Sequence, residues 1–112
     1  MKYYCHLYMD EKVAPRKQEI QKNIENDKWQ LEKYLIVLTN HPQNHLEIFQ
    51  SALLLQKAIQ KETLFVVGIA SGYEEALELV EKIVQEVYDE TKGTDIRKYI
   101  LEKQQEYEEG NV

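Results

Sequence analysis

Seven residues of this chain carry groups that could do chemistry where an α/β protein can use them: Asp10, Thr39, Asn40, His41, Ser71, Gly72 and Tyr73. Each falls just beyond a run that reads as a β-strand, and open parallel sheets bind ligands outside the carboxyl ends of their strands. Asp10, followed by Glu11, brings a carboxylate, and His41 brings an imidazole. Ser71-Gly72-Tyr73 opens a helix whose free N–H groups attract an anion. Together they are the ligand-binding site this sequence predicts, suited to a small ligand or a phosphate.

Most of these residues also have a structural use. Ser71-Gly72-Tyr73-Glu74 has the spacing of a capping box, which commits the hydroxyl to its own helix. No Gly-x-Ser-x-Gly surrounds Ser71, Gly68 and Gly72 do not make Gly-x-Gly-x-x-Gly, and no Gly-Lys-Ser/Thr follows. His41 and His45 are four apart, but Pro42 and an expected helix cap at Asn44 put His41 in a loop, so no metal pair results. Cys5 and His6 are adjacent in a strand and point to opposite faces, which separates a nucleophile from its base. The sequence therefore predicts no catalytic residue, no metal and no cofactor. Asp10 and Glu11 are similar to the acidic pair after the first strand of receiver domains. The third strand, however, ends in Ala70-Ser71 without a phosphorylatable Asp, and no later strand supplies a Lys, so no residue is carried over.

The elements that must position these residues are read from periodicity. Leu64 to Ala70 is apolar without alternation, as in a strand covered on both faces. The helix after it bears Ala76, Leu77, Val80, Ile83, Val84 and Val87 at i, i+3, i+4 spacing. Lys2 to Met9 reads as a first strand, with Tyr3, Cys5, Leu7 and Met9 on one face and Tyr4, His6 and Tyr8 on the other. The second set predicts a face only partly covered, or covered by a neighbouring chain. A mostly polar helix runs from Val13 or Ala14 to Asn26, and Tyr34 to Leu38 is the heart of a second buried strand, with Trp29 ahead of it to cover the core. Asn44 with Glu47 three residues on predicts a helix to about Lys61, its wide apolar stripe running from Leu46 to Ile59. Lys92-Gly93 stops the third helix, and Thr94 caps a fourth with Asp95 in its first turn.

The order is β-α-β-α-β-α-α, which predicts an α/β three-layer sandwich around a three-stranded, mainly parallel sheet. The first strand could take the centre or an edge. Residues 1–105 form one domain, and the acidic residues 106–112 are expected to fray.

Composition narrows the function classes. A net charge of −6 argues against nucleic acid, whose proteins draw affinity from phosphate contacts. The weaker nucleic-acid alternative uses Arg16, Lys17, Lys22 and Lys28 on the first helix. Nine basic and seven acidic residues precede Glu62, whereas five basic and thirteen acidic residues follow from it, so an acidic face could meet a basic one. The single cysteine suits a reducing compartment, and no apolar run is long enough to cross a membrane, which predicts a cytoplasmic protein. Eight tyrosines suit half-buried strands and interfaces, and Tyr4 and Tyr8 could also stack a base or sugar. The leading expectation is a non-enzymatic module that associates with itself or another protein. The alternative is a small-ligand or phosphate-binding domain at the strand ends.

Overall fold

A computed structural model describes residues 1–26, 33–55 and 60–110. Four strands, β1 (Lys2–Met9), β2 (Tyr34–Leu38), β3 (Leu46–Gln50) and β4 (Phe65–Ala70), form one sheet in the order β1-β4-β2-β3. Helices α1 (Lys17–Glu25), α2 (Tyr73–Thr91) and α3 (Ile96–Glu108) complete the regular structure, joined by short 3₁₀ turns at Ala14–Arg16, Ser51–Leu55 and Lys61–Thr63. β1 takes an edge and runs parallel to the central β4; β2 is antiparallel to both β4 and β3. The sheet is thus four-stranded and mixed, not three-stranded and mainly parallel.

The difference arises at residues 44–61, where a helix was expected. Residues 46–50 instead pair with β2, Leu46 opposite Leu38 and Gln50 opposite Tyr34. The Asn44 cap does not form because the turn before it is closed by other bonds. The Thr39 amide donates to the His45 carbonyl (2.9 Å), the Thr39 hydroxyl donates to the Asn44 carbonyl, and His41 Nδ1 accepts from the Gln43 and Asn44 amides. A short connection makes β2 and β3 a hairpin, which is necessarily antiparallel. Among the described residues no α-helix crosses over between β2 and β4, and the two strands run antiparallel. The apolar run Ala52–Leu55 lies in a 3₁₀ turn, with Leu54 buried on the α1 face. Trp29, Ala58 and Ile59 lie outside the described residues.

Two apolar clusters sandwich the sheet. On one face Tyr4, Ile36, Val67 and Ala70 pack against Ala76, Leu79, Ile83 and Val87 of α2 and Ile100 of α3. On the other, Leu7, Leu35, Val37, Val66 and Ile69 pack against Val13 and against Ile20 and Ile24 of α1. Full burial of each such aliphatic chain contributes about 1.5–3 kcal/mol. Of the face expected to be partly covered, Tyr4 is enclosed under this chain's own helices, Tyr8 is half-buried and His6 is exposed.

β1 breaks its pairing between Tyr3 and Tyr8, and the freed Cys5 amide donates to Gln104 Oε1 of α3 at 2.8 Å. Cys5 consequently packs on the α2/α3 side with Tyr4, against simple alternation. Beside the break, a Cβ on Gly68 would stand 3.3 Å from the Tyr8 carbonyl oxygen and 3.0 Å from Ile36 Cδ1. The close Tyr8 backbone and the Ile36 side chain are why a glycine interrupts an otherwise aliphatic strand. α3 continues to Glu108, whose carboxylate meets the Lys2 ammonium at 2.6 Å. No helix among the described residues is long and apolar enough to cross a membrane.

Candidate functional site

The carboxyl ends of β1 and β4 are neighbours because these strands are parallel. There the fold brings together Asp10, Ser71, Gly72 and Tyr73. The carboxyl end of β2 points the other way, so Thr39, Asn40 and His41 lie at the opposite end of the sheet. The seven expected residues form two groups, and the antiparallel β2 is the reason.

In the first group the Asp10 carboxylate is fully engaged by backbone. Oδ2 accepts from the Ser71 amide at 2.6 Å, and Oδ1 accepts from the Lys12 and Val13 amides at 2.9 and 3.1 Å. Partial burial opposes its ionisation, but these amides outweigh that cost and hold its pKa below the usual carboxylate value. The Ser71 hydroxyl also favours the carboxylate, yet it falls short of hydrogen-bond geometry. Its buried Oγ is left without a partner.

Nor does Ser71 cap α2. Helix α2 begins one residue later than the capping box requires, with Gly72 as its N-cap and no side-chain cap bond. The Glu75 carboxylate folds back instead: a Cβ on Gly72 would be 2.6 Å from Glu75 Oε2. An acidic chain over a helix N-terminus uses the partial positive charge that a phosphate would need. The open groove here, about 470 Å³, is lined by Asp10, Glu11, Lys12, Ser71, Glu75, Glu78 and Lys82 among others, four acids beside two lysines. Such a lining repels anions and favours a cationic or neutral group.

At the other end Arg97, which sequence reading passed over, organises the loop. Its Nε donates to the Thr39 carbonyl at 2.6 Å and its Nη2 to the His41 carbonyl, while its amide donates to His45 Nδ1 at 3.2 Å. Asp95, not Thr94, caps α3, accepting from the Lys98 amide at 3.1 Å. His41 spends Nδ1 on its own turn. Among the described residues no three metal-ligating side chains converge. Of the basic residues of the first helix, Arg16 is tied to Glu19 at 2.9 Å, and Lys28 lies outside the described residues.

A third feature lies on α2. The apolar residues read as one stripe divide in two. Ala76, Ile83 and Val87 are buried, together with Leu79 from outside that stripe, whereas Leu77 and Val84 are 41% and 40% exposed. With Tyr73 and Tyr88, at 54% and 50%, they are spaced i, i+4, i+11 and i+15, an exposed stripe within about 60° of arc at 3.6 residues per turn. The Tyr73 ring meets Tyr34 of β2 edge-on, centroids 5.7 Å apart, and Glu86 on the far flank of α2 accepts from the Tyr8 hydroxyl of β1. The stripe therefore looks toward the β2–β3 side, where Leu46 and Ile48 are partly buried at the edge of the core. A periodic split into buried and exposed rows is visible in the sequence only once the sheet-facing side is known.

No family model, no curated protein and no solved structure matches this chain.

Proposed function

We propose that this chain is a non-enzymatic protein-interaction module, held in the reducing cytoplasm, that docks a protein on the exposed stripe of α2. The observation that supports it is the row Tyr73, Leu77, Val84 and Tyr88, four large side chains left 40–54% exposed along one helix face. Single exposed hydrophobics are ordinary, but a contiguous row beside a partly buried sheet margin is the composition of a docking face. The polar groups at the strand ends are, by contrast, largely engaged by backbone.

The test is position-dependent photo-crosslinking in the native host. A benzophenone amino acid at Leu77 or Val84 should give protein adducts, and the same residue at Lys17, on α1, should not. Equal crosslinking at all three positions would remove the reading.

A second reading, a small ligand in the groove at the β1 and β4 ends, draws on the partnerless Ser71 Oγ beside that groove. A thermal-shift screen separates it. A ligand at 100 times its dissociation constant adds about 2.7 kcal/mol, and Ser71→Ala would abolish the shift.

A further inference from the structure

The charge around the stripe says what should cover it. Seven of the nineteen residues of α2 are acidic and one, Lys82, is basic. Following 3.6 residues per turn, Glu74, Glu78 and Glu81 border the outer edge of the stripe, and all three are exposed. An occupant seated on Leu77 and Val84 brings its own flank against that border and desolvates it. A like-charged or neutral flank would leave three carboxylates losing water without compensation, whereas lysine or arginine would pair with them.

The stripe also fixes the shape of the occupant. With half-buried Val80 included, Tyr73, Leu77, Val80, Val84 and Tyr88 recur at three- and four-residue steps, the seam on which one helix packs along another. Fifteen residues at 1.5 Å rise make a seam of about 22 Å, roughly four turns of a partner helix.

We infer, resting on the docking reading above, that the partner is an amphipathic helix of another protein whose apolar seam is flanked by lysine or arginine. The leading competitor is a second copy of this chain. The spacing is symmetric, so two α2 helices could meet antiparallel with Leu77 opposite Val84. A two-fold axis, however, places each flank beside its own copy, and Glu81 would face Glu81 of the second molecule with no basic residue between them. An anionic membrane surface is disfavoured by the same carboxylates.

The experiment uses the full chain and two synthetic helical peptides of about five turns, each with leucine at three- and four-residue spacing. One carries lysine on its flanks and the other glutamate. Fluorescence anisotropy should show the lysine peptide binding at least ten-fold tighter, and raising the salt from about 50 to 300 mM should narrow that ratio. Leu77→Asp with Val84→Asp should abolish binding although it adds negative charge, which excludes attraction to the acidic surface as the whole cause. Glu74→Lys with Glu81→Lys should reverse the preference. Leu77→Ser serves in place of the double aspartate variant if that variant has a lowered melting midpoint.

Equal binding of the two peptides, or no binding of either, overturns the basic-helix inference; the docking reading survives if crosslinks at Leu77 and Val84 persist. A concentration-dependent dimer that Leu77→Asp dissolves also overturns the inference, with the stripe still a docking face. Loss of both peptide binding and stripe-specific crosslinks removes both.

Discussion

Asp10 and Ser71 stand sixty-one residues apart in the chain and are joined by a 2.6 Å hydrogen bond from the Ser71 amide to Asp10 Oδ2. The bond ties the exit of β1 to the turn between β4 and α2, across the two parallel strands. The other carboxylate oxygen holds the turn after β1 through the Lys12 and Val13 amides. One side chain thus fixes two connections, and this use explains an acidic residue at a strand end without invoking a substrate.

Asp10→Asn should lower stability by about 1–3 kcal/mol at neutral pH, because an amide can present only one oxygen to three N–H groups. The wild-type carboxyl has a depressed pKa in the folded state. Its contribution is therefore present above the unfolded value of about 3.9 and lost as pH falls through the lower folded value. Urea unfolding at pH 7 and pH 3 checks both statements: the gap between wild type and variant should shrink at pH 3. An undiminished gap would assign the loss to packing.

Tyr3 and Tyr8 should respond oppositely to removal of their hydroxyls. The Tyr3 hydroxyl is buried and has no hydrogen-bond partner, and burial raises its pKa to about 12. Tyr3→Phe deletes an unsatisfied polar atom and should leave stability unchanged or raise it by about 1 kcal/mol. Tyr8 donates to Glu86, so Tyr8→Phe strands that contact and should cost about 0.5–1.5 kcal/mol. Thermal melts of the two variants side by side decide the matter.

The same tyrosines set the alkaline limit. Burial first, then neighbouring carboxylates (for Tyr4, Cys5 ahead of them), raise the pKa values of Tyr4, Tyr8 and Tyr99 as well as Tyr3. A raised folded-state value means stability that is complete below the unfolded pKa near 10 and declines as pH climbs toward the folded values. Denaturant midpoints should accordingly fall between pH 10 and 12. Tyr8→Phe should flatten that fall; an unchanged slope would place the titration elsewhere.

Much of the framework was legible because it depends on local pattern. The strand around Val66 and Val67, the helix after Ser71 and the polar helix holding Ile20 and Ile24 each follow from periodicity. The segment from Asn44 to Lys61 was not, because Leu46, Phe49, Ala52 and Leu53 have helical spacing, while Leu46 and Ile48 on one face and Phe49 on the other have that of a strand. Pairing with Tyr34–Leu38, a tertiary event, made the choice. That pairing supplies the fourth strand, and the antiparallel run of β2 against β4 separates His41 from Ser71. Arg97 and Gln104 were illegible for another reason: each serves backbone groups far away in sequence. No spacing rule announces such a partner.

Gln104 shows how such a residue can be tested. It is buried on α3, and its Oε1 accepts from the Cys5 amide that β1 releases where its pairing to β4 breaks. Gln104→Met keeps the volume and removes the acceptor, leaving a part-buried N–H without a partner. The cost should be about 1–3 kcal/mol in chemical unfolding. It should also raise hydrogen exchange at the Cys5 amide far more than at Val67, in the centre of β4. Uniform exchange across both strands would mean that the bond supports global packing and not the local break.

Arg97 offers the sharpest local prediction, since it serves a loop and not the core. Its guanidinium donates to two carbonyls, those of Thr39 and His41, and its amide closes on His45 Nδ1. Arg97→Lys keeps the charge but replaces a planar fork by a single ammonium, which can reach one carbonyl at a time. The hairpin between β2 and β3 should loosen while the sheet centre holds. Amide exchange at Thr39, whose N–H bonds the His45 carbonyl, should accelerate several-fold, with Ile69 unaffected. Global stability should drop by about 0.5–1.5 kcal/mol. If Ile69 accelerates equally, the turn is not an independent unit and the hairpin opens only when the whole domain does. If neither changes, the Thr39 and Asn44 bonds hold the turn unaided, and Arg97 is dispensable to it.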